Sequence, residues 1–334
     1  MTSRNMNSSD REPFILRPAG KDYLWGGSRL KDDFVKDINI TPLAETWECS
    51  THPDGLSIIA SGRFSGDSLA DVLKLYPDYL GTHPVLKDEL PILIKFIDAK
   101  QNLSVQVHPD DEYARMHENG QMGKTEMWYV LDAAKNAKII YGLYQDTEKS
   151  VLQKALDDGT IDKYLQKVPV KKDDVFYIEA GMIHAIGAGV LIAEIQENSN
   201  LTYRLYDYDR VDKEGRKRKL HVEKALDAAN LRSSLNPRQP VRVLRYRPGV
   251  AEELLCRCKY FEVCRMIVNT ERRQEVRFRA DSASFRVLLC ISGCGTIRWG
   301  NCFLDIYKGD CVFFPADSVE VIIHGQFQMI SIRG

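Results

Sequence analysis

A mainly β chain, arranged as sandwiches or barrels with small helical insertions, is the fold class the sequence predicts. Three observations carry that prediction. Short apolar runs bounded by turn residues recur at near-regular spacing, only brief stretches follow a helical period, and a faint internal repeat links the middle of the chain to its end. The strand-like runs are residues 93–97, 127–131, 138–142, 175–178 and 190–195, rich in Ile, Val, Leu and aromatic residues.

The helical stretches are few. Leu69, Val72, Leu73 and Tyr76 follow the i, i+3, i+4, i+7 pattern after a capping Asp67 or Ser68, and Pro77 ends the helix. Residues 150–166 pair Val151 and Leu152 with Ala155 and Leu156, then Ile161 with Tyr164 and Leu165, with a break at Gly159. A third stretch covers 221–231. Helical insertions are therefore expected at about 66–90, 148–168 and 221–232.

The repeat aligns 174–184 with 310–320. Upstream, 127–142 and 285–300 share a strand-turn-strand rhythm ending in an aromatic residue and a glycine. Two β units explain this pattern, chance similarity between apolar strands being the alternative. Only the first unit carries candidate chemistry, because Glu126 aligns with Ser284 and His184 with Glu320. Pro237, Arg238, Gln239 and Pro240 mark a boundary, giving units over 1–236 and 241–334.

Composition narrows the function classes. A length of 334 residues allows two substantial cores, and 44% hydrophobic with 28% charged residues is ordinary for a soluble protein. The formal net charge of −1 gives no reason to expect nucleic acid or an anionic membrane as partner. No apolar run approaches the roughly 18 residues of a membrane helix, and residues 1–12 are polar without the apolar core of a signal peptide. A cytoplasmic location is the expectation. Seven of the eight cysteines follow residue 255, none in a C-x-x-C pair, so they read as small core hydrophobes rather than zinc ligands.

The most informative segment is Ser104-Val105-Gln106-Val107-His108-Pro109-Asp110-Asp111, with Lys124-Thr125-Glu126 close behind it. Alternation along a strand projects Ser104, Gln106 and His108 to one side, and Lys124 and Glu126 do the same on a neighbouring strand. Pro109 biases His108 toward extended backbone. His184 follows a further strand-like run. An isolated histidine reads as a structural imidazole. With an amide, a carboxylate and a second imidazole nearby, His108 and His184 read instead as ligands of zinc or another borderline divalent ion. No thiolate closes the set, as in catalytic rather than structural sites. Gln106 is a weaker donor, with orienting a ligand as its alternative role. Glu126 has an ion pair with Lys124 as its alternative, and Lys124 suits an anionic substrate group, since an ammonium has no free lone pair. His52, in Glu48-Cys49-Ser50-Thr51-His52-Pro53, is the other histidine to watch.

Further on, Glu194, Arg204 and Arg210 are separated by even numbers of residues and share a face if the run stays regular. Two arginines and a lysine beside a metal make a phosphate-sized cationic pocket, with Glu194 as a carboxylate base; a solvated charged hairpin is the plainer alternative. The basic run 213–219 lacks interleaved aromatics and reads as a solvated loop.

Taken together, Gln106-Val107-His108-Pro109-Asp110-Asp111, Gly123-Lys124-Thr125-Glu126-Met127-Trp128-Tyr129, Gly181-Met182-Ile183-His184-Ala185 and residues 199–207 resemble type I mannose-6-phosphate isomerase in its shorter bacterial form. Trp25-Gly26-Gly27 and Glu45-Thr46-Trp47-Glu48 fit as well, and the resemblance is strong over about 13–230. It implies a duplicated cupin, a jelly-roll β-barrel present twice, with one Zn²⁺ per chain held by Gln106, His108, Glu126 and His184. It implies interconversion of mannose 6-phosphate and fructose 6-phosphate, with Arg204 in the active site; a monomer or homodimer is the expectation for assembly. Ser104, Lys124 and Arg210 match substrate-side positions, and Glu194 an acidic one. Larger members carry Asp where Asn200 stands, and Asn cannot act as a carboxylate base. The expected chemistry passes through a cis-enediol, with Glu194 as base and Arg204 and Lys124 assisting. A cupin isomerase for another sugar phosphate, such as glucose 6-phosphate, and a non-catalytic sugar-phosphate-binding cupin are the rival readings.

Overall fold

The computed structural model describes residues 11–83, 89–212, 214–234, 237, 239–240 and 242–334. Three antiparallel sheets carry the fold. The central sheet has six strands in the order Val175–Ile178, Glu126–Ala133, Val190–Glu197, Ile92–Ala99, Glu45–Cys49 and Ala19–Lys21. A five-stranded sheet, ordered Tyr203–Tyr206, Val105–Val107, His184–Ile186, Lys138–Leu143 and Leu165–Pro169, covers one of its faces. A ten-stranded sheet, drawn mostly from residues beyond 243, covers the other.

The reason the central sheet lies between two layers is visible in its strand Val190–Glu197, every residue of which is buried. Side chains alternate across a strand, so a buried residue at every position requires a covered surface on both sides. Val190 and Ile192 enter the core shared with Trp25, Ile97, Trp128 and Ile186. Leu191, Ala193 and Ile195 enter the core shared with Val263, Phe285, Val287 and Ile332 of the ten-stranded sheet. The mainly β, cupin-type class is borne out, with few and short helices.

Three expectations about the elements need correction. Helix does occupy Leu69–Leu75, Lys149–Asp157 and Val222–Ala228, but the second insertion ends early. Leu165–Pro169 is a strand paired with Lys138–Leu143, so tertiary pairing overrides the local helical spacing after Gly159. The first insertion continues as a 3₁₀ turn at Pro77–Leu80, and the rest of it, 84–88, lies outside the described residues. In the second β unit, the supposed strand-turn-strand is one bent strand, Arg286–Trp299, with a bulge at Cys290/Ser292 and Gly293 at φ +79°.

Nor does the chain separate cleanly at 237–240, of which Arg238 lies outside the described residues. Phe14–Arg17 pairs with Cys311–Phe314 in the ten-stranded sheet, and Ile58–Ile59 extends it further. Cys290 and Cys311 are buried as expected, and Cys49 is buried as well, but Cys256, Cys258 and Cys264 are half-buried and Cys294 and Cys302 exposed; all eight are free thiols. Among the described residues, no helix is long and apolar enough to cross a membrane.

Two helices were not expected from the sequence, the single turn Arg29–Asp32 and a longer one after the histidine motif. Asp111–His117 starts immediately after the histidine motif, and the Asp110 carboxylate accepts a hydrogen bond from Tyr113 N at 2.8 Å. This cap satisfies an otherwise orphaned amide, with Asp111 and Glu112 favourable in the first turn. Asp110→Ala is expected to cost about 1 kcal/mol. Urea denaturation checks this as a lower midpoint at unchanged slope.

Candidate active site and metal centre

The site lies between the central and five-stranded sheets. On the central sheet, Trp128, Glu194, Lys95 and Trp47 stand opposite one another in register across four adjacent strands. Each therefore projects toward the five-stranded sheet, with Glu126 and Glu45 two residues away on the same face. From the facing sheet, Gln106 and His184 are direct cross-strand partners, and His108 follows at the end of Val105–Val107.

His108, Glu126 and His184 converge. Their candidate ligand atoms lie within 4.8 Å of one another, and all three residues are buried. Glu126 reaches the histidines from the opposite sheet. That differs from the expected arrangement of neighbouring strands, because Val105–Val107 and Glu126–Ala133 belong to different sheets. Lys124 precedes the strand altogether.

The second-layer contacts prepare the imidazoles for a cation. His108 Nδ1 is 2.7 Å from Leu201 O and His184 Nδ1 is 2.9 Å from Met182 O. A carbonyl accepts only, so each Nδ1 carries the proton and each Nε2 presents a lone pair inward. Burial, then Lys124, pushes His108 down to about 3, and it stays neutral. Burial would raise the Glu126 carboxyl, but the Lys124 ammonium beside it opposes this and the carboxyl is held well below the usual range. Glu126 Oε1 is buried and accepts no hydrogen bond, while Lys124 Nζ stands 2.7 Å from it and 3.3 Å from His108 Nε2. A positive charge thus already rests on two of the donors. The Gln106 amide nitrogen is 3.3 Å from His184 Nε2, and a half-turn of the amide presents its oxygen there instead. Two imidazoles, a carboxylate and an amide oxygen suit a borderline divalent ion.

Beside the donors, Trp128 Nε1 donates to Glu126 Oε2 at 2.9 Å and to Glu194 Oε2 at 3.0 Å. One indole therefore fixes the spacing of the two carboxylates. Burial, then the Glu126 charge, pushes the Glu194 carboxyl up to about 7. Lys95 Nζ lies 3.2 Å from Glu194 Oε1 and 3.9 Å from Glu45 Oε2. Burial would lower Lys95, but Glu194 and Glu45 outweigh it and keep it an ammonium. Trp47 Nε1 donates to Glu45 Oε2 at 2.8 Å, closing the row.

A cleft of about 110 Å³ opens onto these groups and is lined by Ser104, Gln106, Lys124, Glu194, Arg204 and Arg218 among others. Arg210 does not line it. Its guanidinium is bonded to Asn102 O at 2.5 Å and to Asp207. The even spacing from Arg204 fails because Tyr208 and Asp209 adopt φ +56° and +53°, which ends the strand alternation. Arg218, from the run read as a solvated loop, takes the position instead and is braced by Asp207 Oδ2 at 2.8 Å. Lys213 of that run lies outside the described residues. His52 packs edge-on to Trp47, 5.7 Å between centroids, and does not reach the donors. Lys95, Glu45 and Arg218 were missed as site residues. A lysine inside the apolar run Ile92-Leu93-Ile94-Lys95-Phe96-Ile97 was the available signal.

Comparison with known proteins agrees with this geometry. Residues 14–136 match the model of the phosphomannose isomerase type I catalytic domain. Mannose-6-phosphate isomerase ManA of Bacillus subtilis is 36% identical over 322 residues, 96% of this chain and 98% of that one. The mannose-6-phosphate isomerase of Streptococcus mutans is 35% identical over 320 residues, again 96% and 98%. The crystal structure of the mannose 6-phosphate isomerase from B. subtilis superposes with a TM-score of 0.88 at 33% identity, over 96% of this chain and 99% of that one. Identity at that level, along almost the whole of both chains, makes the present chain a member of the type I mannose-6-phosphate isomerase family.

Proposed function

We propose that this isomerase interconverts mannose 6-phosphate and fructose 6-phosphate, with one zinc ion held by Gln106, His108, Glu126 and His184. The observation that carries the reading is the Trp128 bridge, which sets a carboxylate with raised proton affinity beside a converged imidazole–carboxylate–imidazole set. When bound, the ion supplies a Lewis acid for the sugar's carbonyl and hydroxyl oxygens.

The chain's own residues do the rest. Glu194 removes the proton from C2 of the aldose and returns it to C1, while the hydroxyl at C2 gives up its proton and the oxygen at C1 gains one. The cis-enediol lies between these transfers. Lys95 holds the Glu194 carboxylate in place as it cycles. Arg204 and Arg218 receive the phosphate at the mouth of the cleft, with Ser104 and Lys124 deeper along its wall. Arg210 acts through Asp207, which braces Arg218. Eight free thiols support work in the reducing cytoplasm.

Exhaustive chelation is expected to abolish isomerisation of mannose 6-phosphate in a coupled assay, and one equivalent of Zn²⁺ to restore it. Full activity with no bound metal detected by elemental analysis would refute the assignment.

A further inference from the structure

A cavity of about 900 Å³ lies far in sequence from the proposed active site, in the second β unit. It opens on one face of the ten-stranded sheet. Leu254, Cys264 and Ser331 form a single cross-strand row on its floor, with Met266 in the next row. Met266 also belongs to the core that Leu288 and Met329 share, so the cavity opens onto that core. Clefts of this size are common small-molecule sites.

Its walls are strongly cationic. Arg245, Arg247, Arg257, Arg277, Arg279 and Arg286 line it, against only Glu252, Glu253 and Glu262, in a chain of formal net charge −1. The three acids are already engaged. Glu252 pairs with Arg247 at 2.6 Å, Glu253 with Arg265 at 2.7 Å, and Glu262 with Arg257 and with Arg333 at 3.1 Å. Arg277 is held by Glu275 and Glu320, and Arg279 faces Asp317 at 3.6 Å. Arg245 and Arg286 are left with no carboxylate at ion-pair distance among the described residues. Arg286 is half-buried; Arg333 is a second cation in its surroundings, and Glu262 and Asp281 act on it only from beyond ion-pair distance. A guanidinium partly withdrawn from water with no carboxylate in contact has donors that a ligand can take up. Its planar fork matches the paired oxygens of a phosphate or carboxylate.

We propose that this cavity on the ten-stranded sheet binds a small oxyanion, held by Arg245 and Arg286 over the apolar floor around Leu254 and Met266. Phosphate and carboxylate ligands share the required chemistry, so inorganic pyrophosphate and citrate serve as separate probes.

The test uses the full chain labelled with ¹³C at methionine methyl groups, the Met266 resonance being assigned through Met266→Leu. Saturable movement of that resonance with either probe is expected, and the responding probe identifies the oxyanion. Arg245→Glu, on the exposed rim, and Arg286→Gln are each expected to raise the dissociation constant at least about tenfold. Arg245→Glu should leave kcat and KM for mannose 6-phosphate unchanged, which separates this site from the catalytic cleft. If Met266 stays stationary with both probes to about 10 mM, or if Arg245→Glu titrates like the wild type, the proposal is overturned whatever the outcome for the isomerase reaction.

Discussion

Glu194→Gln is expected to lower kcat for mannose 6-phosphate by about 10²–10⁴-fold while KM changes by less than about threefold. The substitution keeps the side chain's shape. An amide oxygen still accepts from Trp128 Nε1, now 3.0 Å away, and the strand stays buried between two sheets. What disappears is the ability to take a proton. The pH profile separates that loss from damage to binding. Because burial and Glu126 push the Glu194 carboxyl up to about 7, the base form accumulates only as pH rises through that value. The wild-type kcat/KM should therefore rise along an acid limb near pH 7, and the residual activity of the variant should lack that limb. Linkage has the corresponding sign. A carboxyl raised from 4.5 to about 7 retains its proton in the native state, so its contribution to stability is present below 4.5 and is lost as pH rises through 7. Near wild-type turnover in the variant would remove Glu194 from the base role.

Alternation and motif made much of this site legible. Glu194 lies in an uninterrupted strand, and His108 and His184 sit beside turn signals that end strands at the cleft. What alternation cannot supply is which strands face each other. Glu126 was placed on a strand next to His108, yet it approaches from the opposite sheet, since sheet membership depends on long-range pairing rather than on local pattern. The same reason hides the N-terminal strand Phe14–Arg17, whose Phe14 stands opposite Phe313 some three hundred residues later. Arg210 and Arg218 show a local failure. Two residues at positive φ between Arg204 and Arg210 broke the parity, and no strong glycine signal announced them, because Tyr208 and Asp209 occupy the turn. The basic run after them looked solvated because composition is silent about Asp207, which draws Arg218 inward.

The largest stability effect is expected at the seam between the two β units. Glu48 shares the strand Glu45–Cys49 with Glu45 and Trp47 but points to the opposite face, away from the cleft. It is fully buried, its Oε1 accepts from Thr46 Oγ1 at 2.6 Å, and its Oε2 lies 2.7 Å from Lys36 Nζ. Lys36 also donates to Gly309 O of the second unit at 2.6 Å, so one ammonium joins a strand of the central sheet to a turn beyond it. Burial pushes the Glu48 carboxyl up, and Lys36 is the main force opposing that rise. Lys36→Met removes the compensating charge and leaves the carboxylate in an apolar seam, at an expected cost of about 3–5 kcal/mol. Urea denaturation at neutral pH reads this directly. The loss should shrink as pH falls, because protonated Glu48 no longer needs a counterion, and Lys36→Met combined with Glu48→Gln should recover a large part of it. A single variant within about 1 kcal/mol of wild type would mean that Glu48 is already neutral in the native chain. The seam would then be held by apolar contact alone, and the double variant would show no coupling.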